Sequence, residues 1–220
     1  MRRIIILLLT VILFGSFGLK AQEEASDSTE EIQSVIDACI ALRNAAATGD
    51  KVALKQAAIA LKECEAKIFT ELEFNEDSVE SLDGHLVFDE AFADSLAQGE
   101  DAYRSANDIY RSAALRGQTN NGKNTRTFCI KAGKSAKYTF SSKYRQELAV
   151  VAEAGGLVSM RVHFTGSNGL NEWRTDTVDF QRGRPYRKMA YDPPTNNRYN
   201  VELEVFNRSG RDITFVVISN

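Results

Sequence analysis

The hydrophobic pattern of this 220-residue chain changes period once, and that change limits the folds open to it. Up to about residue 117 the apolar residues recur at i, i+3, i+4 and i+7, the spacing of one helix face. Beyond about residue 124 they alternate, or form short blocks of Val, Ile, Thr, Phe and Tyr, as strands do. Helical segments followed by strands, without interleaving, imply an α+β chain and not a doubly wound α/β one. The join is "RGQTNNGKNTR" (116–126), rich in Gly, Asn and Thr, which reads as a loop or linker and puts a boundary near Gly122. Charge shifts at the same place. Residues 22–117 carry 21 Asp and Glu against 8 Lys and Arg, whereas residues 118–220 carry 9 against 16, balances of −13 and +7.

The first residues, "MRRIIILLLTVILFGSFGLKAQ", place Arg2 and Arg3 before an apolar stretch from Ile4 to about Phe17 and a small residue at Ala21. That layout predicts a secretory signal peptide over 1–21. The stretch is short of the ~20 residues that span a bilayer, and no later segment is long and apolar enough to do so. The expectation is an exported protein, periplasmic or extracellular, with no membrane span in the mature chain. Its organisation would be an acidic helical domain over 22–121 and a basic β-sandwich domain over 122–220. Cys39, Cys64 and Cys129 are an odd number for an oxidising compartment and lack metal-ligand spacing.

In the acidic half, Ile32, Val35, Ile36, Cys39 and Ile40 form one stripe, and Leu54, Ala57, Leu61, Cys64, Ile68 and Leu72 form another. "TGD" separates them. Gly49 suits a left-handed helix end and Asp50 the next N-cap, so a helical hairpin is expected. A second helical pair is expected after "DGH", with Phe88, Phe92 and Leu96 on one stripe and a break at Gly99, completing an N-terminal α-helical bundle. Cys39 and Cys64 lie at unequal distances from the Gly49 bend, an axial offset of roughly 7.5 Å at ~1.5 Å per residue. A Cys39–Cys64 disulfide therefore needs a shifted or bent hairpin, and buried free thiols are the alternative.

The basic half contains about eight strand-like segments, among them "AKYTF", "ELAVVAEA", "VSMRVHF", "WRTDTVDF", "YNVELEVF" and "DITFVVIS". With no helical interval, they predict an antiparallel β-sandwich. Val158, Met160, Val162 and Phe164 share one face, as do Tyr199, Val201, Leu203 and Val205; Arg161, His163, Glu202 and Glu204 take the other. Gly155-Gly156 either makes a hairpin turn or carries the chain between sheets. The rhythm of "GKSAKYTFSSKYRQELAVVAEA" and the closing "RYNVELEVFNRSGRDITFVVISN" resembles the jelly-roll sandwiches called bacterial pre-peptidase C-terminal domains, over about residues 124–220. The resemblance implies an accessory fold used for binding or stabilisation, without catalysis.

Little in the chain suggests a reaction. There is no phosphate-binding loop, no G-x-S-x-G elbow, and His85 and His163 are the only histidines. No cofactor is expected. Glu202 and Glu204 share a face as a charged ladder, and an exported hydrolase using them, Glu153 or His163 is the third reading. A Ca²⁺ site at Asn168, Asn171 and Glu172, or in the acidic run 71–83, has only its oxygen ligands to recommend it. The strongest surface signal is "QRGRPYRKMAYDPP", where Arg182, Arg184, Arg187 and Lys188 lie with Tyr186 and Tyr191. Guanidinium forks bind carboxylate, sulfate or phosphate, and rings stack on sugars. The leading expectation is a non-catalytic, envelope-associated binding module recognising an anionic glycan, a lipid head group or an acidic protein through those residues. Nucleic acid is not an expected partner. The alternative is a structural scaffold whose oppositely charged halves dock on each other or on a protein partner.

Overall fold

A computed structural model describes residues 32–68, 78–82, 84–99, 122–143, 145–166, 169–179, 185–192 and 198–220. In chain order the elements are helices α1 (32–48) and α2 (Lys51–Glu63), short strands β1 (Lys67–Ile68) and β2 (Val79–Glu80), and helix α3 (Glu90–Gln98). Strands β3 (Asn124–Ile130), β4 (Ser135–Ser142), β5 (Gln146–Ala152), β6 (Leu157–Gly166) and β7 (Asn171–Asp179) follow, then β8 (Tyr186–Tyr191), β9 (Tyr199–Asn207) and β10 (Ile213–Ser219).

The helical hairpin forms as its caps dictate. Gly49 takes a left-handed φ of +67°, and the N–H of Asp50 reaches back to the Ala45 carbonyl. One oxygen of the Asp50 side chain accepts the N–H groups of Val52 and Ala53 at 2.9 and 3.1 Å, closing the first turn of α2. Periodicity overextends α2, however. The helix stops at Glu63, Glu65 turns left-handed, and Lys67 and Ile68 leave the stripe to pair in parallel with Asn124 and Thr125 of β3. Hydrogen bonds to a sheet edge here outweigh continued helical spacing. The next helix also starts later than "DGH" implies. Residues 86–88 are non-helical, the Phe88 N–H donates to Thr127 Oγ1 at 3.0 Å, and Asp89 caps α3 through the Ala91 N–H at 2.8 Å. The partner helix expected beyond Gly99 lies outside the described residues.

The strands form two sheets. In one, the order is β1-β3-β10-β5-β8, with β2 also paired to β3; in the other it is β4-β9-β6-β7. Apart from the β6-β7 pair, which stays in the second sheet, strands β3 to β10 alternate between the sheets in the wiring of a jelly roll, two Greek keys folded on each other. Gly155-Gly156 carries the chain from β5 in the first sheet to β6 in the second, so no hairpin forms there. Gly156 sits in close quarters: a Cβ would lie 3.1 Å from both the Glu153 carbonyl oxygen and Ile213 Cδ1, so either neighbour would have to give by a few tenths of an ångström. Between the sheets, Tyr138, Leu148, Val150, Met160, Val162, Phe164, Val201, Leu203, Phe215 and Val217 form the sandwich core.

β5 and β10 are buried at every position, not at alternate ones. Their second faces lie under the helices, where Ala149, Val151, Val216 and Ile218 share one core with Ile32, Val35, Ile36, Leu42, Leu54 and Ala57. The layers run helices, first sheet, second sheet. In place of a free-standing bundle, the described helices complete their core on the sheet, and the contact is apolar where the charge balances suggest an ionic one. The Cys39–Cys64 disulfide is not formed. Cys39, Cys64 and Cys129 are buried free thiols, and Cys64 Sγ lies 3.8 Å from Ser34 Oγ near the open end of the hairpin, as the axial offset requires.

Asn207, fully buried, joins three segments. Its Nδ2 donates to the carbonyls of Ile130 and Arg211 at 2.9 and 2.8 Å, and its Oδ1 accepts the Ser209 N–H at 2.8 Å. Asn207→Ala strands these groups in the interior and is expected to cost ~2–4 kcal/mol, read as a shift in the urea midpoint. Tyr138 is the opposite case. Its hydroxyl is buried without a hydrogen-bond partner among the described residues, so Tyr138→Phe is expected to be neutral or stabilising by up to ~1 kcal/mol.

Burial pushes the Cys129 thiol and the Tyr199 hydroxyl up to about 12, and it raises Cys39 further still. Above about pH 9 the unfolded chain loses these protons first, so folding stability falls as pH rises towards the folded-state values. Urea midpoints are expected to fall steadily from about pH 9 upward, with all three cysteines refractory to iodoacetamide until the chain unfolds.

Candidate functional site

Because helices cover the outer face of the first sheet, the outer face of the second is the broad sheet surface left uncovered among the described residues. Strand alternation decides what it carries. Residues of β6 and β9 facing the core are Val158, Met160, Val162, Phe164, Val201, Leu203 and Val205, so their neighbours point out. The register aligns Lys137, Glu204 and Arg161 in one row across β4, β9 and β6. The next row holds Thr139, Glu202, His163 and, on β7, Trp173; beyond it lie Ser141, Asn200, Thr165 and Asn171.

Trp173, the only tryptophan, stands on the edge strand with 48% of its surface exposed. His163 stacks on it with ring centroids 3.8 Å apart and planes 8° from parallel, and the Arg161 guanidinium lies 4.6 Å from the ring centroid. Both neighbours are themselves anchored. His163 Nε2 is 2.7 Å from Asn171 Oδ1, and Arg161 Nη2 donates to Glu204 Oε2 at 2.5 Å. Lys137 pairs with Glu202 at 3.6 Å, and Ser141 Oγ donates to Asn200 Oδ1 at 2.7 Å. Phe206 is a second exposed ring, on β9, two residue rows from Trp173 along the strands and two strands across. At ~3.4 Å per residue and ~4.8 Å per strand the two rings are roughly 17 Å apart, with the charged groups between them. A rigid aromatic surface set among hydrogen-bonding side chains can pack against the C–H face of a sugar while meeting its hydroxyls.

The residues singled out from the sequence are dispersed. Arg182 and Arg184 lie outside the described residues. Tyr186, Arg187, Lys188 and Tyr191 lie on β8 as an edge strand, and alternation sends them to different layers. Tyr191 is buried in the sandwich, 4.4 Å centroid to centroid from Phe164, and burial followed by the Glu172 carboxylate raises its hydroxyl above the usual tyrosine range. Arg187 shares its register position with the core residue Val150. Tyr186 packs with the helices, and Lys188 pairs at 2.7 Å with Glu147, whose side chain is 3% exposed and meets Arg145 at 2.9 Å on its other side. Lys188 thus helps to neutralise a buried carboxylate, and its loss would leave that charge to Arg145 alone.

Glu153 and His163 are likewise apart. Glu153 accepts from Thr214 Oγ1 at 2.5 Å and from Arg211, whose Nη2 also donates to the Ala154 carbonyl at 2.9 Å, so it pins the Gly155-Gly156 crossing to the turn before β10. Glu172 is bound by Arg174 at 2.7 Å and Asn171 by His163. Asn168 and residues 71–77 lie outside the described residues, among which no His, Cys, Asp and Glu cluster could hold a metal ion. No described helix is long and apolar enough to cross a membrane. Sequence reasoning missed Trp173. "WRTDTVDF" signals a strand but not its facing, because Trp173, Thr175 and Thr177 alternate with Arg174, Asp176 and Val178, and neither set is clearly apolar. The register to Val162 and Phe164 resolves it.

No protein-family model matches the chain, and no curated protein does. Among solved structures, matches to part of the chain have low identity and low TM-scores. The carbohydrate-binding module TmCBM61 in complex with β-1,4-galactotriose is 10% identical, with a TM-score of 0.33, over 43% of this chain and 69% of that one. The Yersinia pseudotuberculosis-derived mitogen is 9% identical, with a TM-score of 0.34, over 45% of this chain and 85% of that one. The CBM22-1 xylan-binding domain from Paenibacillus barcinonensis Xyn10C is 12% identical, with a TM-score of 0.24, over 48% of this chain and 89% of that one. The jelly-roll sandwich rests on the strand order itself; the narrower family resemblance read from the strand rhythm finds no matching family model.

Proposed function

We propose that the chain is an exported, non-catalytic glycan-binding module whose ligand lies on the outer face of the β4-β9-β6-β7 sheet. One observation carries this reading: Trp173 stands on an open sheet face, held by His163 and Arg161, with polar side chains in the rows on either side. A ring fixed before the ligand arrives loses little conformational entropy on binding. Export follows from the N-terminal pattern of two arginines, a short apolar stretch and Ala21. The non-catalytic part of this reading is supported by Glu153, Glu202 and Glu204 each being bound to a cation and by His163 being stacked.

Affinity electrophoresis through gels containing soluble polysaccharides, followed by calorimetry on any that retard the protein, tests this. At least one polysaccharide is expected to retard the wild type, and Trp173→Ala is expected to weaken binding at least ~10-fold, about 1.4 kcal/mol, with the unfolding temperature nearly unchanged. The same polysaccharides should release no new reducing ends on prolonged incubation. Retardation that survives Trp173→Ala would remove this face from the function.

A further inference from the structure

Resting on the glycan-binding reading, we propose that this face selects a neutral glycan and discriminates against uronic acid-containing or sulfated ones. The basic balance of the second half suggests the reverse, but many of its described cations are engaged in ion pairs. Arg145 and Lys188 clamp Glu147, Arg211 holds Glu153, Arg174 holds Glu172, and Lys131 meets Glu80 at 3.3 Å.

Beside Trp173 the described Lys, Arg and Glu side chains form opposed pairs. The carboxylates Glu202 and Glu204 stand on the interior strand β9, flanked by Lys137 on β4 and Arg161 on β6. Arg161 is bound to Glu204 at 2.5 Å and Lys137 to Glu202 at 3.6 Å, so two cations face two carboxylates and these four charges cancel, while Arg208 lies apart, 6.0 Å from the Phe206 ring centroid. An anionic ligand reaching for Arg161 would have to displace Glu204. That carboxylate is only 18% exposed, and it would be left unpaired beside the incoming negative charge. Both the lost pair and the like-charge contact oppose binding.

A neutral sugar meets no such opposition. Adjacent hydroxyls both donate and accept, so one can accept from the Arg161 guanidinium while its neighbour donates to the Glu204 carboxylate, leaving the pair intact. The site then reads vicinal hydroxyls from an ion pair and the sugar's apolar face from Trp173, 4.6 Å from the same guanidinium. Affinity for such a ligand arises from hydrogen bonds and ring contact and is nearly independent of salt, whereas capture of a polyanion is screened beyond the ~8–10 Å Debye length of ordinary buffers.

The experiment is a paired panel of neutral polysaccharides (galactan, glucan, mannan) and acidic ones (polygalacturonate, alginate, a sulfated galactan), titrated at low and high salt with the full chain and with Trp173→Ala and Glu204→Gln. A neutral polysaccharide is expected to bind with less than about a twofold change between the two salts, and each substitution should weaken it at least ~10-fold. Glu204→Gln keeps the shape and one acceptor but removes the counter-charge, so weak binding of acidic polysaccharides should increase in that variant. Binding of an acidic polysaccharide that needs Trp173, fades with salt and is unchanged or weakened in Glu204→Gln overturns the neutral-ligand inference while leaving the glycan-binding reading standing. Binding indifferent to Trp173, or no binding across the panel, overturns both.

Discussion

The rest of the structure depends on β5 and β10 being dry on both faces. All seven positions of each strand are buried, and a strand in that state needs a layer on either side. One layer is the second sheet of the sandwich, reached through Leu148, Val150, Phe215 and Val217. The other is the pair of helices α1 and α2, which covers Ala149, Val151, Val216 and Ile218. At ~1.5–3 kcal/mol for each fully buried Val or Ile, this second contact is a large part of what a chain of this size has to hold it together. It also means that the described helices meet the basic half through an apolar core, while Glu80 and Lys131 pair across the two halves at 3.3 Å.

The jelly-roll wiring turns that constraint into a placement of charge. Strands that alternate between sheets leave crossings at the sandwich ends, and crossings carry polar backbone that must be satisfied. Here long side chains meet the need: Asn207 bonds three backbone groups, Glu153 and Arg211 tie the Gly155-Gly156 crossing to the segment before β10, and Gln146 Nε2 reaches the Asn220 carbonyl at 2.8 Å. Many of the basic residues that make the second half positive are structural in this sense. A run such as "RGRPYRKMAY" looks like a ligand surface until β8 divides Tyr186, Arg187, Lys188 and Tyr191 between two layers.

Sequence legibility followed the strength of the local pattern. The change of period near residue 122, the Gly49-Asp50 hairpin, the inward faces of β6 and β9 and the approximate number of strands could all be read, because each depends on nearest-neighbour geometry. What could not be read depended on partners distant in sequence. Ile68 fits a helical stripe as well as a strand, and only the edge of β3 decides between them. "ELAVVA" and "ITFVVIS" show by their lack of alternation that both faces are buried, yet not what covers them. The face of β7 was ambiguous for the same reason: Arg174 and Glu172 are polar and nevertheless point inward.

That inward ion pair explains why an aromatic surface can stand at the sheet edge at all. β7 is an edge strand with unpaired backbone groups, a position at which sheets are prone to pair with other chains. The Arg174 guanidinium, bound to Glu172, lies 5.7 Å from the Phe164 ring centroid and 5.8 Å from that of Tyr191, and donates to the Ala190 carbonyl of β8, bridging the two sheets along their open side. Inward-pointing charge of this kind closes the sandwich and makes the edge a poor template for another strand. With a side-chain period of two, the residues that place Glu172 and Arg174 inside necessarily place Asn171 and Trp173 outside, opposite Thr165 and His163. A slip of one residue would turn the indole towards Val162 and the half-exposed ion pair outward, losing the closure and the exposed aromatic surface together. The register that stabilises this edge is therefore the register that presents Trp173, and selection acting on either preserves the other.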